Sequence, residues 1–556
     1  MSTLASFLVF LAAVEAAPSD QPTAGSKAET TISIVGTSDL HGHVAPLPWF
    51  GGYLRNLRVA RDQGAVVLVD AGDMFQGTLE SNLAEGAPVV DAYNDLGYSA
   101  VALGNHEFDF GPAGPAPSPT KPGDDPQGAL RARAAQASFP FLAANIVLQG
   151  SHKPLPWRNV LSSTLIDAAG IKVGIVGVTT ATTPRSSLPA NVVGLDFLPL
   201  AASIAREAHR LRARGAQVVV AVAHEGGACQ SFADPDALES CDARSAIFSI
   251  AARLPKRSVD VIVAGHTHQA IAQRVAGIPI IQSYSNGRAF GRVDLTVERA
   301  TGKVLASHLE EPHEICPAST PETCKPGAYL GQPVEKDPAL EALLAPAFAS
   351  ARQKSEDQLG VEVVRPMPHN RAQETALGNL LADLMRAARP GADVAMINGG
   401  GMRAGLPKGP LTYGHLYETF PFDNAFASMK LSVGQLRKLV ARSLERSQSL
   451  ISLSGVRVQA RCKDKSVDAT LSRSDGSPLS DETMLSLVTT DFLATGGDGF
   501  FADTSISFQI GPPIRDEMAE VLRKRRGKLS PDDPTLLDPS KPRFDLPGPV
   551  PIRCSE

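Results

Sequence analysis

Five short stretches of this chain concentrate side chains that hold cations or move protons. Asp39 and His41 stand in "SDLHGH", Asp73 in "GDMFQG", and Asn105, His106 and Asp109 in "GNHEFDFG". His224 stands in "AHEGG", and His266 and His268 in "GHTH". Singly, each has a plain explanation: a polar turn, or a histidine hydrogen-bonded to its neighbours. Together they offer carboxylate, imidazole and amide donors, the set that suits borderline divalent cations such as zinc, manganese or another transition metal. One four-coordinate ion does not need so many. Two ions sharing a bridging carboxylate use them all, and that arrangement serves phosphoryl chemistry.

Other chemistries fit less well. "HEGGACQ" has no second His at i+4, which excludes a zincin helix. "NGGGMRAG" lacks both the Lys-Ser/Thr of a P-loop and the spacing of a dinucleotide fingerprint. Its glycines nevertheless follow a strand-like run, and Arg403 comes soon after; glycine lets backbone approach a ligand, and an Arg fork suits phosphate. No cysteine lies in a C-x-x-C pair, so sulfur-based zinc or redox chemistry is not expected.

The elements that must position these donors are short, β-branched runs. "TISIVG", "AVVLVDAG", "SAVALG", "PFLAANI", "KVGIVGV", "QVVVAVA" and "VDVIVAG" read as strands alternating with helical segments, the pattern of a layered α/β domain. The donors follow the ends of such runs, and in open α/β sheets ligands lie outside the carboxyl ends of the strands. "GPAGPAPSPTKPGDDP", residues 111–126, reads as an exposed inserted loop. Residues 338–359 read as a helix interrupted at Pro346 and linking two domains. A second α/β pattern starts near Glu362 with the helical "ETALGNLLADLMRAAR", the strand "ADVAMINGG", the helical "SVGQLRKLVARSLERS" and the strand "MLSLVTTDFLA". The divisions expected are a signal peptide over 1–17, a first domain over 28–335, a linker helix over 336–361, a second domain over 362–528 and a Pro-rich surface tail over 529–556.

Composition narrows the class. With 556 residues the chain exceeds one ordinary core, and 43% apolar with 20% charged residues is usual for a globular protein. A net charge of −5 gives no global field toward nucleic acid or an anionic membrane, so an anionic substrate needs a local cationic site. The first residues carry a short apolar stretch and then small residues at Ala16 and Ala17, like an export signal without a basic start. No later run is long enough to span a bilayer. Six cysteines fit an oxidising compartment, with Cys229–Cys241 and Cys316–Cys324 as local pairs and Cys462–Cys554 by elimination. A secreted or periplasmic protein is expected.

Taken jointly, "SDLHGH", "GDMFQGT", "GNHEFDFG", "AHEGG" and "GHTH" resemble the calcineurin-like metallophosphoesterases in their 5′-nucleotidase branch. "NRAQETALGN", "NGGGMR", "TFPFDN" and "DFLATGGDGF" resemble that family's C-terminal substrate domain. The resemblance runs over residues 30 to 510 in order and leaves out the Pro-rich insertion and the tail. It implies a four-layer α/β/β/α domain binding two metals, followed by a second α/β substrate-binding domain joined through a linker helix. One ion would be held by Asp39, His41 and His268, the other by Asn105, His224 and His266, with Asp73 bridging. His106 and Asp109 resemble the family's catalytic dyad. Arg371, Asn398, Gly400 and Arg403 match ligands of the substrate's phosphate and ribose side. Phe422 and Phe492 match the aromatic pair that clamps a base, and Asp498 the ligand of a ribose hydroxyl.

The expected activity is release of phosphate from nucleoside 5′-monophosphates, by in-line attack of water activated by two divalent metal ions. A broader hydrolase of UDP-sugars, nucleoside polyphosphates or 2′,3′-cyclic nucleotides is the alternative within the family. From another class comes an inactive extracellular nucleotide-binding or adhesion protein, which the complete donor set disfavours. The expected partner is a nucleotide, with no nucleic-acid polymer and no membrane span. The sequence names neither the metal, the base nor the oligomeric state.

Overall fold

The computed structural model describes residues 28–554, apart from 62, 115, 120, 152, 318–322, 503 and 505. The expected signal segment, residues 1–17, lies outside them. Two sheets pack face to face in the first domain. The first contains β1 (Glu29–Thr37), β2 (Val66–Asp70) and β3 (Ala100–Ala102), mutually parallel, with Ala289–Glu298 antiparallel beside β1. The second contains β4 (Ile171–Thr179), β5 (Val218–His224), β6 (Val261–Ala264) and β7 (Ile278–Ser283), also parallel.

Why the strands read as nearly unbroken apolar runs is plain from where alternate side chains go. Ile32, Ile34, Val67 and Val69 meet Val173, Ile175, Val218, Val220 and Val263 between the sheets. Their neighbours Val35, Leu68 and Val101 face outward, under the helices Leu47–Ala60 and Ala87–Leu96. Val176, Val219 and Ile262 face the opposite way, under Leu200–Ala213 and Ala246–Arg253. Both faces of each sheet are therefore buried, and period-two polarity vanishes. Each such Val or Ile contributes about 1.5–3 kcal/mol of burial. The result is the expected α/β/β/α order of layers.

The second domain has a mixed sheet whose central strands are β8 (Val394–Ile397), β9 (Ala425–Ser432) and β10 (Met484–Thr490), with β10 between the other two. Ala376–Ala388 and Ile514–Arg525 cover one face, and Val433–Arg446 covers the other. Ser432 and Gln435 cap the last of these reciprocally, side chain to backbone in both directions.

Three expectations need correction. The helix expected to break at Pro346 runs unbroken over Pro338–Ser355. Proline removes one backbone hydrogen bond, but Leu340 and Leu344 are buried in the first domain's core and Ala351 in the second's. Asp337 also caps the helix, accepting from the Ala339 and Leu340 N–H groups. Contacts at both ends thus outweigh the local break. The residues after Lys528, expected to wrap the surface, are built into the second domain. Leu529 and Leu536 enter one of its cores, and Phe544, Val550 and Ile552 the other. Gly527–Leu529 and Phe544–Asp545 add strands, so apolar residues between the prolines outweigh the prolines. The insertion is exposed only in part: Ser118 is 2% exposed, and the Pro117 carbonyl accepts from Asn191 Nδ2 at 2.9 Å.

The disulfides Cys229–Cys241, Cys316–Cys324 and Cys462–Cys554 are all formed. Among the described residues no helix is long and apolar enough to cross a membrane.

Candidate active site

The donors gather where the parallel strands end. Asp39 follows β1, Asp73 follows β2, Asn105 follows β3, His224 is the last residue of β5, and His266 and His268 follow β6. Asp39, His41, Asp73, His266 and His268 all have positive φ, from 48° to 76°. Left-handed backbone at a non-glycine residue costs on the order of 1–3 kcal/mol and persists only where its surroundings over-determine it. Here they do. The Asp39 N–H donates to the Gly72 carbonyl, the His41 N–H to the Asp73 carbonyl, and the His266 N–H to the Asp39 carboxylate. Glu107, 1% exposed, accepts from the Asp73, Met74 and Gly104 N–H groups at 2.9, 2.6 and 2.6 Å. Gly104 must be glycine, because a Cβ there would lie 2.1 Å from Asp73 Oδ1.

The side chains form two adjoining groups, Asp39–His41–His268 and Asp73–His224–His266, each with its ligand atoms within 4.8 Å of one another. Asp73 Oδ2 stands between the groups, 3.1 Å from His224 Nε2 and 3.8 Å from His41 Nε2. Asn105 Oδ1 is 3.0 Å from His224 Nε2. Tautomers follow from the outer partners. His41 Nδ1 faces the Gln76 carbonyl at 2.8 Å and His224 Nδ1 the Ala71 carbonyl at 2.8 Å, so both nitrogens donate. A neutral ring, which burial favours at His41, then turns its Nε2 lone pair inward. His41 Nε2 meets His268 Nε2 at 3.0 Å, and His224 Nε2 meets His266 Nδ1 at 3.1 Å.

Lone pairs and carboxylates pointed at one another require positive charge between them. Burial lowers the His41 imidazole well below its usual range, and lowers His266 to about 3 and His268 to about 4. At His224 burial acts the same way, but the Asp73, Asp39 and Glu107 carboxylates outweigh it and raise the ring to about 10. Burial holds Asp39 up at about 7, against the pull of His224. The cluster thus calls for cations at its centre, and its mixed O/N donors fit borderline divalent metals.

Beside it, His106 Nδ1 lies 2.5 Å from Asp109 Oδ2, and Asp109 Oδ1 accepts from Ser187 Oγ at 3.3 Å. The His106 N–H donates to Asp73 Oδ1 at 2.8 Å, fixing the dyad to the donor cluster. Burial disfavours the imidazolium, yet Asp109 and Asp73 outweigh it and raise His106.

A cavity of about 380 Å³ lies between the domains, with Asp73, Asn105, His106, Asp109, His266 and His268 on its first-domain wall. All seven residues expected to bind substrate stand on the opposite wall: Arg371, Asn398, Gly400, Arg403, Phe422, Phe492 and Asp498. Enclosure, and then the neighbouring Arg371, lower the Arg403 guanidinium to about 10. Its guanidinium carbon is 5.0 Å from the centre of the Phe422 ring, and Phe422 lies 5.9 Å from His106, ring to ring. Asn398 Nδ2 donates to Asp498 Oδ2 at 2.8 Å, while Asn398 Oδ1 is buried without a partner.

Sequence reading passed over the residues that hold these groups. Glu107 lies inside a quoted motif, but its role is to accept from backbone, and no residue pattern encodes that. Gln76 orients His41 through its carbonyl and donates its side-chain amide to the Pro421 carbonyl of the second domain at 3.2 Å. Arg515, 3% exposed, pairs with Asp423 and reaches the Phe422 carbonyl at 3.4 Å. A lone Arg at the start of a polar helix gave no signal.

Comparison with known proteins agrees with this layout. Residues 32–270 match the calcineurin-like phosphoesterase family, and residues 354–503 match the 5′-nucleotidase C-terminal domain. The endonuclease YhcR of Bacillus subtilis is 27% identical over 413 residues, covering 74% of this chain but only 31% of that protein. A snake venom 5′-nucleotidase from Naja atra is 26% identical over 533 residues, covering 84% of this chain and 91% of that one. The crystal structure of a 5′-nucleotidase precursor from Thermus thermophilus has the same fold, with a TM-score of 0.67 at 24% identity over 91% of this chain and 100% of that chain.

Proposed function

The chain belongs to the 5′-nucleotidase family and is a metal-dependent phosphoesterase, and from that premise we propose that it releases phosphate from nucleoside 5′-monophosphates. One observation carries the reading: a single cavity has the cation donors and the His106–Asp109 pair on one wall and two arginines, two phenylalanines and Asp498 on the other. The activity named for the Naja atra relative supports a nucleotide as the substrate.

Asp39, His41 and His268 would hold one divalent ion, and Asn105, His224 and His266 a second, with Asp73 shared. When bound, such ions polarise phosphoryl oxygens and lower the pKa of water. The chain's own residues do the rest. Arg371 and Arg403 orient the phosphate by their fixed donor forks. Phe422 and Phe492 hold the base, and Asp498, steadied by Asn398, accepts from ribose hydroxyls. Asp109 engages His106 Nδ1, so Nε2 is the atom left to give a proton to the nucleoside oxygen as the P–O bond breaks. Pairing of all six cysteines supports action outside the reducing cytosol, in a secreted or periplasmic setting.

A second reading has its own support. A second cavity of about 750 Å³ adjoins the first, and His268, Arg371 and Arg403 line both. A substrate with a group on each side of the reacting phosphorus, such as a UDP-sugar, would use the two spaces together. The test is a panel on metal-reconstituted protein: AMP, ADP, ATP, UDP-glucose, a 2′,3′-cyclic nucleotide and glycerol phosphate. We expect the highest kcat/KM on a nucleoside monophosphate. Turnover of glycerol phosphate equal to AMP would overturn the reading, and a preference for UDP-glucose would replace it with the second.

A further inference from the structure

The two phenylalanines sit on separate segments of the second domain, Phe422 on a loop and Phe492 on the short helix Asp491–Ala494, about 70 residues apart in sequence, and one buried carboxylate joins those segments. Asp491, 0% exposed, accepts through Oδ1 from the Ala425 N–H at 3.1 Å and from the Phe492 N–H at 2.9 Å. Ala425 begins β9 directly after "PFDN", the loop of Phe422. The other oxygen, Oδ2, accepts from Ser118 Oγ at 3.4 Å. Ser118 belongs to the first domain and stands in the Pro-rich insertion, which lies outside the motifs shared with the family.

Behind Ser118 the path continues to the catalytic turn. Asn191, fully buried, donates through Nδ2 to the Pro117 carbonyl at 2.9 Å and to the Phe108 carbonyl at 2.8 Å. Phe108 lies between His106 and Asp109. Two adjacent residues of the insertion, Pro117 and Ser118, thus tie the dyad turn to Asp491.

We infer that Asp491 is a positioning residue that sets the spacing of Phe422 and Phe492, and that Ser118 ties this node to the first domain across the cleft. The inference rests on the proposed nucleotide site. A carboxylate needed only to satisfy the backbone of its own domain would have its two N–H partners and no more. The third partner, brought across the cleft by an insertion, ties the aromatic pair to the wall that carries the dyad. Burial raises the Asp491 carboxyl to about 7, so the group stands there against a desolvation cost that an apolar residue would avoid.

The test uses the metal-reconstituted full chain with AMP and p-nitrophenyl phosphate. Ser118→Ala removes one hydroxyl from a loop; the account expects KM for AMP to rise about 2- to 5-fold, because a hydroxyl 3.4 Å from its acceptor makes a long hydrogen bond at the weak end of the range. Turnover of p-nitrophenyl phosphate and Tm should stay at wild-type values. Asp491→Ala should raise KM for AMP further, Asp491→Asn should restore most of it, and adding Ser118→Ala to Asp491→Ala should change nothing more. Wild-type preference for AMP together with an unaltered Ser118→Ala KM overturns this inference alone. Equal losses on both substrates with a lowered Tm overturn it in favour of a purely structural bond. A wild type with no preference for AMP overturns the nucleotide reading and this inference with it.

Discussion

Five of the seven cation donors of the first domain, Asp39, His41, Asp73, His266 and His268, hold left-handed backbone, whereas among Arg371, Asn398, Arg403, Phe422, Phe492 and Asp498 on the facing wall only Asp498 does. Asp39, His41, Asp73, Asn105 and His224 are buried, and their loops are cross-tied backbone to backbone and onto Glu107. On the other wall Arg371 is exposed, Arg403 keeps solvent access although the cavity walls enclose it, Phe422 and Phe492 are half-buried, and support comes through single side chains such as Arg515 and Asp491. The difference follows from what each wall must do. Cation donors have to stay close against their mutual repulsion, so strain is stored there and held. A wall that receives and releases substrate needs groups that can shift, and a few buried anchors set their range.

The largest expected contrast is between Asp73 and His106. Asp73→Ala removes the carboxylate shared by both groups, and should abolish turnover and strip metal. His106→Ala should lower kcat by about 100- to 10,000-fold while metal content stays near wild type. Elemental analysis beside steady-state kinetics separates the two. Should His106→Ala lose metal as Asp73→Ala does, the donor cluster and the dyad would be one structural unit.

Next in size is Glu107→Gln. Its two oxygens serve three N–H groups, so a side-chain amide must set a donor against a donor. The expected cost is about 1–3 kcal/mol of stability, with reduced metal content. Denaturant unfolding and metal analysis would show it. The matching change on the other wall, Arg515→Lys, should leave metal content intact and raise KM for AMP, because it loosens only the loop of Phe422.

The smallest effect is a slope with pH. Asp491 titrates near 7 when folded, against 3.8 for a free carboxyl. Between those values the folded chain keeps the proton and the unfolded chain loses it. Stability from this group is therefore full below about pH 4, falls as pH rises toward 7, and is flat above. Asp491→Asn does not titrate. The Tm of wild type relative to this variant should decline from pH 4 to 7; a constant difference would show that Asp491 ionises normally.

The same contrast sets how much could be read from sequence. The parallel strands were legible because both of their faces are buried, which leaves short β-branched runs bounded by turns. The donors were legible because His, Asp and Asn at successive strand ends form a joint pattern that separate turns rarely make. Glu107, Gln76 and Arg515 were not, since they act through backbone N–H groups and carbonyls whose positions exist only in the folded chain. Ser118 was hidden in a proline-rich segment read as exposed. At Pro346 and in the residues after Lys528, local composition argued for breaks and surface, while buried Leu340, Leu344, Leu529 and Phe544 decided otherwise.

That chemistry resides on the first wall and base recognition on the second is tested most directly by one ratio: kcat/KM on AMP divided by kcat/KM on p-nitrophenyl phosphate. It should be measured for the metal-reconstituted wild type and for Phe422→Ala and Phe492→Ala. Each ring offers one stacking face worth about 1–3 kcal/mol, so each substitution should lower the ratio by about 5- to 150-fold. Metal content and p-nitrophenyl phosphate turnover should change little. A ratio that stays at the wild-type value, with both substrates losing equally and Tm falling, would contradict the account and leave the two phenylalanines as core packing.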